Sequence, residues 1–288
     1  MAGGAWEEAR MMVTGRPASD TVTQQLVGLG VARGERPALV GGCAAWPGRT
    51  LSHASLSAVL QAAAAGLVRH GVREQDIVGI CVPDAVSYVL AVHAVRAAGG
   101  VPSPVPGAGP PDVMASQLTD CGARLLITAD PLASAALAAA DGSWVRQVIS
   151  FDDVPGTTAF CSLLSRGSRA PAVAGPADLA LAPYRAGPDG LLRLAPVTHR
   201  ELGADLNRLA ARVPIGDRDV VLAEPPGGHA RDYTVLLDLA LLHGATVVAT
   251  QPEGLPDAAR AHGGTAAIVH PGTDVPAGLP LRMVTAAG

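Results

Sequence analysis

The sequence predicts an α/β fold of layered, parallel-rich sheets with flanking helices, and three features of the chain predict it. Helical and strand-like apolar patterns alternate over nearly the whole length. The strand candidates are short continuous apolar runs such as Ile77 to Val82, which is how strands buried on both faces read. Gly and Pro punctuate the segments, with Gly71 after one helix and Pro83 after the strand that follows it.

Taken in order, the run from Ser52 or Ser55 to Arg69 places Leu56, Val59, Leu60, Ala63 and Leu67 on one helical face, with a serine to cap its start. Asp76 leads into the strand at Ile77 to Val82, and a second helix covers Ala85 to Ala98 before Gly99 and Gly100. The Pro- and Gly-rich stretch from Val101 to Pro111 reads as a loop. Helices at Asp112 to Asp120 and Pro131 to Ala140 then alternate with strands at Arg124 to Thr128 and Val145 to Phe151. From Pro155 to Ala177 the pattern weakens into Gly, Ser, Pro and Ala, which sets a boundary between a first α/β subdomain, 1–170, and part of a second, 171–288. Beyond it come a strand at Leu179 to Pro183, a loop at Tyr184 to Leu194 and a helix from about Thr198 to Arg212. Strands near Val220 and Val247, a helix at Tyr233 to Leu242, and strands at Ala266 to His270 and Leu281 to Thr285 complete the series.

Composition narrows the function. The net charge of -4 gives no electrostatic reason to expect nucleic acid or an anionic membrane as partner. Hydrophobic residues make up 49% of the chain, mostly Ala, Val and Leu in runs too interrupted to span a bilayer. Met1 to Arg16 lacks the pattern of a secretory signal, so the expected location is cytoplasmic. Cys43, Cys81, Cys121 and Cys161 form no Cys-x-x-Cys pair and read as buried free thiols. All basic side chains apart from histidine are arginine, so the chain has no lysine for a Schiff base, a phosphate contact or adenylation.

Arg36-Pro37-Ala38-Leu39-Val40, Gly71-Val72 to Asp76-Ile77-Val78, Val95-Arg96-Ala97-Ala98-Gly99-Gly100-Val101 and Cys121-Gly122-Ala123-Arg124 follow one another in order. Together these strings resemble the adenylate-forming superfamily, in its 4-coumarate:CoA ligase-like acyl-CoA synthetase branch. Asp178 to Tyr184 and Thr198-His199 then frame a loop that in the family reads Ser/Thr-Ser-Gly-Thr-Thr-Gly, any residue, Pro, Lys, Gly. Here the same frame holds Arg185, Ala186, Gly187, Pro188, Asp189, Gly190, Leu191, Leu192, Arg193 and Leu194. Pro226-Gly227-Gly228-His229 matches the family's Pro-x-Phe-His, with Gly228 replacing the aromatic residue, and Val269-His270-Pro271 stands where the family has a Val-Pro-Pro-like turn.

The resemblance implies a large N-terminal ligase domain, ATP and magnesium as cofactors, and a carboxylic acid or acyl ligand. It implies Gly187, Gly190, Arg193 and Thr198 at the nucleotide and His229 beside the acyl pocket. Such a loop aims backbone N–H groups and small hydroxyls at phosphates while a cation offsets their charge. Here the hydroxyls are replaced, Pro188 removes a donor, and Asp189 would face triphosphate with like charge. Arg193 reads as an anion contact or as a solvated arginine; Arg185 and Asp189 read equally as a structural pair. His199 reads as a contact near the phosphates or a packing residue, and His229 as a pocket residue or an ordinary one. His93 and His243 fit packing or a helix C-terminus, and Asp152-Asp153 a turn. The strand entering at Leu281 to Gly288 precedes the family's later adenine, ribose, magnesium and lid motifs. The expectation is therefore a truncated ligase-like chain not competent alone, with three alternatives in play: an acyl-binding relative, a relative docking protein partners over the truncated face, or a remnant.

Overall fold

The computed structural model describes residues 21–41, 50–107, 109–165, 167–275, 279 and 281–286. The stretch Met1 to Arg16, Cys43 and the last two residues of the terminal string, Ala287 and Gly288, lie outside them.

Two sheets carry the fold. The first is wholly parallel, in the order β4 (Val101–Pro104), β3 (Ile77–Cys81), β5 (Leu125–Thr128), β6 (Gln147–Ser150), β7 (Thr158–Ala159). The second has the order β15 (Arg282–Thr285), β14 (Ala266–Val269), β12 (Val220–Ala223), β13 (Thr246–Ala249), β1 (Pro37–Val40), β2 (Thr50–Ser52), and only its β1–β2 pair is antiparallel. Sheet membership therefore does not follow the boundary expected at residue 170. The early strands β1 and β2 close the sheet built mainly by the late ones, because β1 finds its apolar neighbour in β13, with Leu39 opposite Val247.

The strands alternate between an inner and an outer core. Leu125, Ile127, Val221 and Ala223 face a central cluster shared by both sheets, while Leu126 and Leu222 face outward. Helices α4 (Pro111–Asp120) and α5 (Ala133–Asp141) cover the outer face of the first sheet, and α9 (Leu255–His262) that of the second. Helices α1 (Val22–Arg33), α2 (His53–Arg69), α3 (Ala85–Ala98) and α8 (Ala230–Leu242) fill the middle, giving an αβαβα stack. At Gly66 in α2, an added Cβ would stand 2.6 Å from the Leu163 carbonyl oxygen, so only glycine admits the short helix α6 (Phe160–Leu163) so close.

All 14 residues of α3 are buried, including Ser87, His93 and Arg96. A helix sunk between two sheets must satisfy such groups inside the protein. Asp238 of α8 does so, its two carboxylate oxygens meeting His93 Nε2 at 3.0 Å and Arg96 Nη1 at 3.1 Å. Arg96 Nε also donates to the Ala180 carbonyl at 2.7 Å, and Thr23 Oγ1 lies 2.9 Å from His93 Nδ1. Burial, then Arg96, hold His93 below its usual pKa against the opposing pull of Asp238. His93 is thus a neutral link in a buried network rather than simple packing: Nε2–H donates to Asp238 while Nδ1 accepts from Thr23.

Two expected loops are strands. Val101–Pro104 pairs with β3 as an edge strand because its prolines fall where no N–H is needed: Val101 N and Val105 N donate to Asp76 O and Ile80 O, and Pro102 and Pro104 face the other way. The stretch from Tyr184 to Leu194 is a hairpin of β9 (Tyr184–Ala186) and β10 (Leu192–Leu194), turned by Asp189-Gly190 with Gly190 at φ 75°. Cys81 and Cys121 are buried free thiols, but Cys161 is exposed, because α6 lies at the surface with only Phe160 and Leu163 turned inward.

Candidate functional site

The hairpin, the helix α7 (His199–Ala210) and the start of α8 enclose a cleft of about 700 Å³. The hairpin supplies Tyr184, Arg185, Ala186 and Leu192; α7 and the turn after it supply Asp205, Arg208, Leu209 and Arg212. His229, Arg231 and Asp232 come from the first turn of α8, where His229 is the N-cap and makes no side-chain capping hydrogen bond. A smaller cavity of about 50 Å³, walled by Ile80, Val82, Tyr88 and Val105, shares Tyr184, Leu192, Gly228 and Ala230 with the cleft.

Hairpin register decides which arginine faces the cleft. Arg193 stands directly opposite Arg185, an unfavourable like-charge pair unless one is neutralised. Asp189 takes Arg193 in a two-point contact, Nη1 to Oδ1 at 3.1 Å and Nη2 to Oδ2 at 2.6 Å. The expected Arg185–Asp189 pair is therefore not formed. Arg185 instead lines the cleft with Asp232, whose carboxyl burial raises, while Arg231, His229 and Arg185 pull it the other way. Arg193 in turn holds Asp189 below the usual carboxylate range.

The remainder of the turn is satisfied internally. Gly187 N donates to Leu191 O at 2.8 Å, Gly190 N to Gly187 O at 2.9 Å and Leu191 N to Asp189 Oδ1 at 3.2 Å, while Pro188 has no N–H. With the loop cation clamped and these amides bonded to the turn itself, the residues present do not fit a triphosphate in this conformation. Among the described residues no three His, Cys, Asp or Glu side chains gather as a metal site.

Of the residues the sequence singled out, Gly187 and Gly190 lie in the hairpin turn, Arg193 stands in β10 with its side chain on Asp189 of that turn, and His229 lines the cleft. Thr198 stands apart from both. It caps α7, accepting from Glu201 N at 3.2 Å while the Glu201 carboxylate accepts from Thr198 N at 2.8 Å. His199 is a packing residue: burial first, then Arg96, lower its pKa to about 4, and its Nδ1 is buried without a partner. His243 follows the same logic, because burial rather than a helix dipole dominates it and lowers its pKa while its Nδ1 meets Ile215 O at 2.7 Å. Asp152 serves a turn, accepting from Asp130 N at 2.7 Å.

The sequence reading missed Asp205, Arg208, Arg212, Arg231 and Asp232. Their signal was present as spacing: 205, 208, 209 and 212 fall on one helical face, and 231 and 232 follow His229 directly. Asp205 gathers two of the arginines, with Arg231 Nε and Nη2 at 2.8 and 2.6 Å and Arg208 on its other oxygen.

Known proteins share the sequence and fold of much of the chain. The chain is 29% identical over 213 residues to tyrocidine synthase 3 of Brevibacillus parabrevis, covering 73% of this chain and 3% of that one. Its fold is shared with a long-chain-fatty-acid-CoA ligase from Archaeoglobus fulgidus at a TM-score of 0.78 and 20% identity, over 89% of this chain and 52% of that one. A benzoate CoA ligase from Burkholderia xenovorans gives a TM-score of 0.74 at 20% identity, over 92% and 55%. The chain thus spans about half the length of these solved relatives and a small part of the synthase. Residues 30–271 match the AMP-binding enzymes, an ATP-dependent family that forms adenylates from acyl substrates, with the parallel-rich fold described above. The chain belongs to the family of AMP-binding enzymes.

Proposed function

We propose that this chain is a member of the family that binds a carboxylic acid or acyl ligand in the cleft beside His229 and does not itself activate that ligand with ATP. The observation that carries the proposal is the two-point Asp189–Arg193 contact, which commits the cation of the phosphate loop to a carboxylate of the same loop. Adenylation needs positive charge and donors aimed at the triphosphate and at the charge that develops on it. Asp189 adds negative charge at the same place and closes the turn around it.

One observation favours the competing reading, an ATP-dependent ligase whose Arg193 turns from Asp189 to phosphate. The Arg193 and Asp189 side chains are 58% and 45% exposed, so the pair is open to competition from a bound anion. Calorimetric titration with ATP and magnesium separates the two readings. The expected result is no saturable heat and no rise in melting temperature, alongside saturable binding of a carboxylic acid. Saturable ATP binding that disappears in Arg193→Ala would establish the ligase reading instead.

A further inference from the structure

We infer that the acyl ligand of this cleft has a narrow alkyl end, which passes Gly228 into the small cavity beside Tyr184. The inference rests on the reading of the cleft as an acyl site and adds the class of ligand, an aliphatic acid rather than one ending in an aromatic ring. The cleft of about 700 Å³ and the cavity of about 50 Å³ share Tyr184, Leu192, Gly228 and Ala230 in their linings, so the two spaces adjoin. Gly228 leaves that junction without a side chain, and a Cβ added there would meet no atom within 4 Å. The preceding glycine differs, because a Cβ on Gly227 would stand 2.8 Å from the His270 ring.

The side chains around the cavity suit a hydrocarbon. Ile80, Val82, Pro104 and Val105 line it, and Tyr88 and Tyr184 are the side chains of its described lining that carry a polar atom. Both hydroxyls are already engaged. Tyr184 Oη donates to the Gln117 carbonyl at 2.8 Å, and Tyr88 Oη lies 2.7 Å from Thr234 Oγ1, which itself donates to the Ala230 carbonyl. Those bonds also hold the two rings in place as walls. An apolar cavity stays dry and takes an apolar guest, and one of about 150 Å³ admits benzene. With roughly a third of that volume, this cavity admits about two carbons of an alkyl chain and excludes a phenyl ring. Each methylene removed from water strengthens binding about four-fold, so filling the cavity contributes about fifteen-fold.

The test is calorimetry of the full chain with the straight-chain acids from acetate to octanoate, and with phenyl-terminated acids of matching length. Affinity should climb about four-fold per carbon to a definite optimum and rise no further. The phenyl-terminated acid of that length should bind at least about ten-fold more weakly, because its ring leaves the cavity unfilled. Gly228→Leu should move the optimum about two carbons shorter, since its side chain occupies the junction. Val105→Ala widens the cavity from a wall that does not line the cleft, and it should move the optimum about one carbon longer. Opposite shifts cannot come from general damage to the fold, and thermal melts report whether each variant is folded. If Gly228→Leu does not fold, the Val105→Ala shift decides alone. The same optimum in the unaltered chain and both variants, or phenyl-terminated acids binding as tightly as alkyl ones, would overturn the inference and leave the acyl cleft standing. Absence of binding by every acid would overturn both.

Discussion

Replacing Asp238 by Asn keeps the side-chain shape and removes the charge that balances buried Arg96 and accepts from neutral His93. Asp238, His93 and Arg96 are each at most 5% exposed, so water cannot take over the lost partner. Burial by itself would raise the Asp238 carboxyl, but Arg96 and His93 outweigh it and hold the group ionised. In Asp238→Asn, Arg96 keeps its bond to the Ala180 carbonyl but loses its counter-charge, and its Nη2 already lacks a partner. Breaking a buried pair from one side costs about 3–5 kcal/mol. For a domain of this size about 1 kcal/mol moves Tm by roughly 2–4 °C, so the expected drop is on the order of 6–20 °C. Urea unfolding followed by far-UV circular dichroism measures the free energy, and a thermal melt gives the shift. The double variant Arg96→Met/Asp238→Leu removes both charges and should be far less damaging than the sum of the single changes. A loss under about 1 kcal/mol for Asp238→Asn, or an additive double variant, would refute the idea that a charged network ties α3 to α8.

Thr198→Ala should cost about 1 kcal/mol through loss of the α7 cap, read as a shift in the urea midpoint. It should leave cleft affinity for a carboxylic acid unchanged, since Thr198 lies outside the cleft lining; a specific loss of ligand affinity would return Thr198 to the binding site. Stability should also depend on pH through buried histidines. Burial first, then the arginines Arg33 and Arg36 for His53 and Arg96 for His199, lower both pKa values from 6.5 to about 4. The unfolded chain takes up these protons first, so their contribution is full above about 6.5 and is lost as pH falls toward about 4. The urea midpoint should decline across that window, and His199→Asn should make the decline shallower. An identical slope in His199→Asn would show that other groups set the dependence.

Local patterns alone located most of the elements. Ala85 to Ala98 was legible as a helix between Pro83 and Gly99, and the short apolar runs were legible as parallel strands buried on both faces. The frame around residues 185–194 and the Pro-x-x-His string at 226–229 were legible as segments to expect near a site, and Arg185, Leu192 and His229 from them line one cleft. Tertiary structure decided the rest. Val101–Pro104 is a strand only because β3 offers a partner on the side where its prolines need no N–H. The pairing of β1 with β13 joins residues 39 and 247, a distance in sequence that no local pattern spans. Asp189 lies equally far in sequence from Arg185 and from Arg193, and in the folded hairpin, where the two arginines stand opposite each other, it goes to Arg193. The basic cleft draws on three separate segments whose charges meet only after packing. Periodicity and turn chemistry are set by neighbours a few residues apart, so the chain states them directly. Strand partners, ion pairs and clefts depend on which distant surfaces are buried against each other, and that choice exists only in the folded molecule.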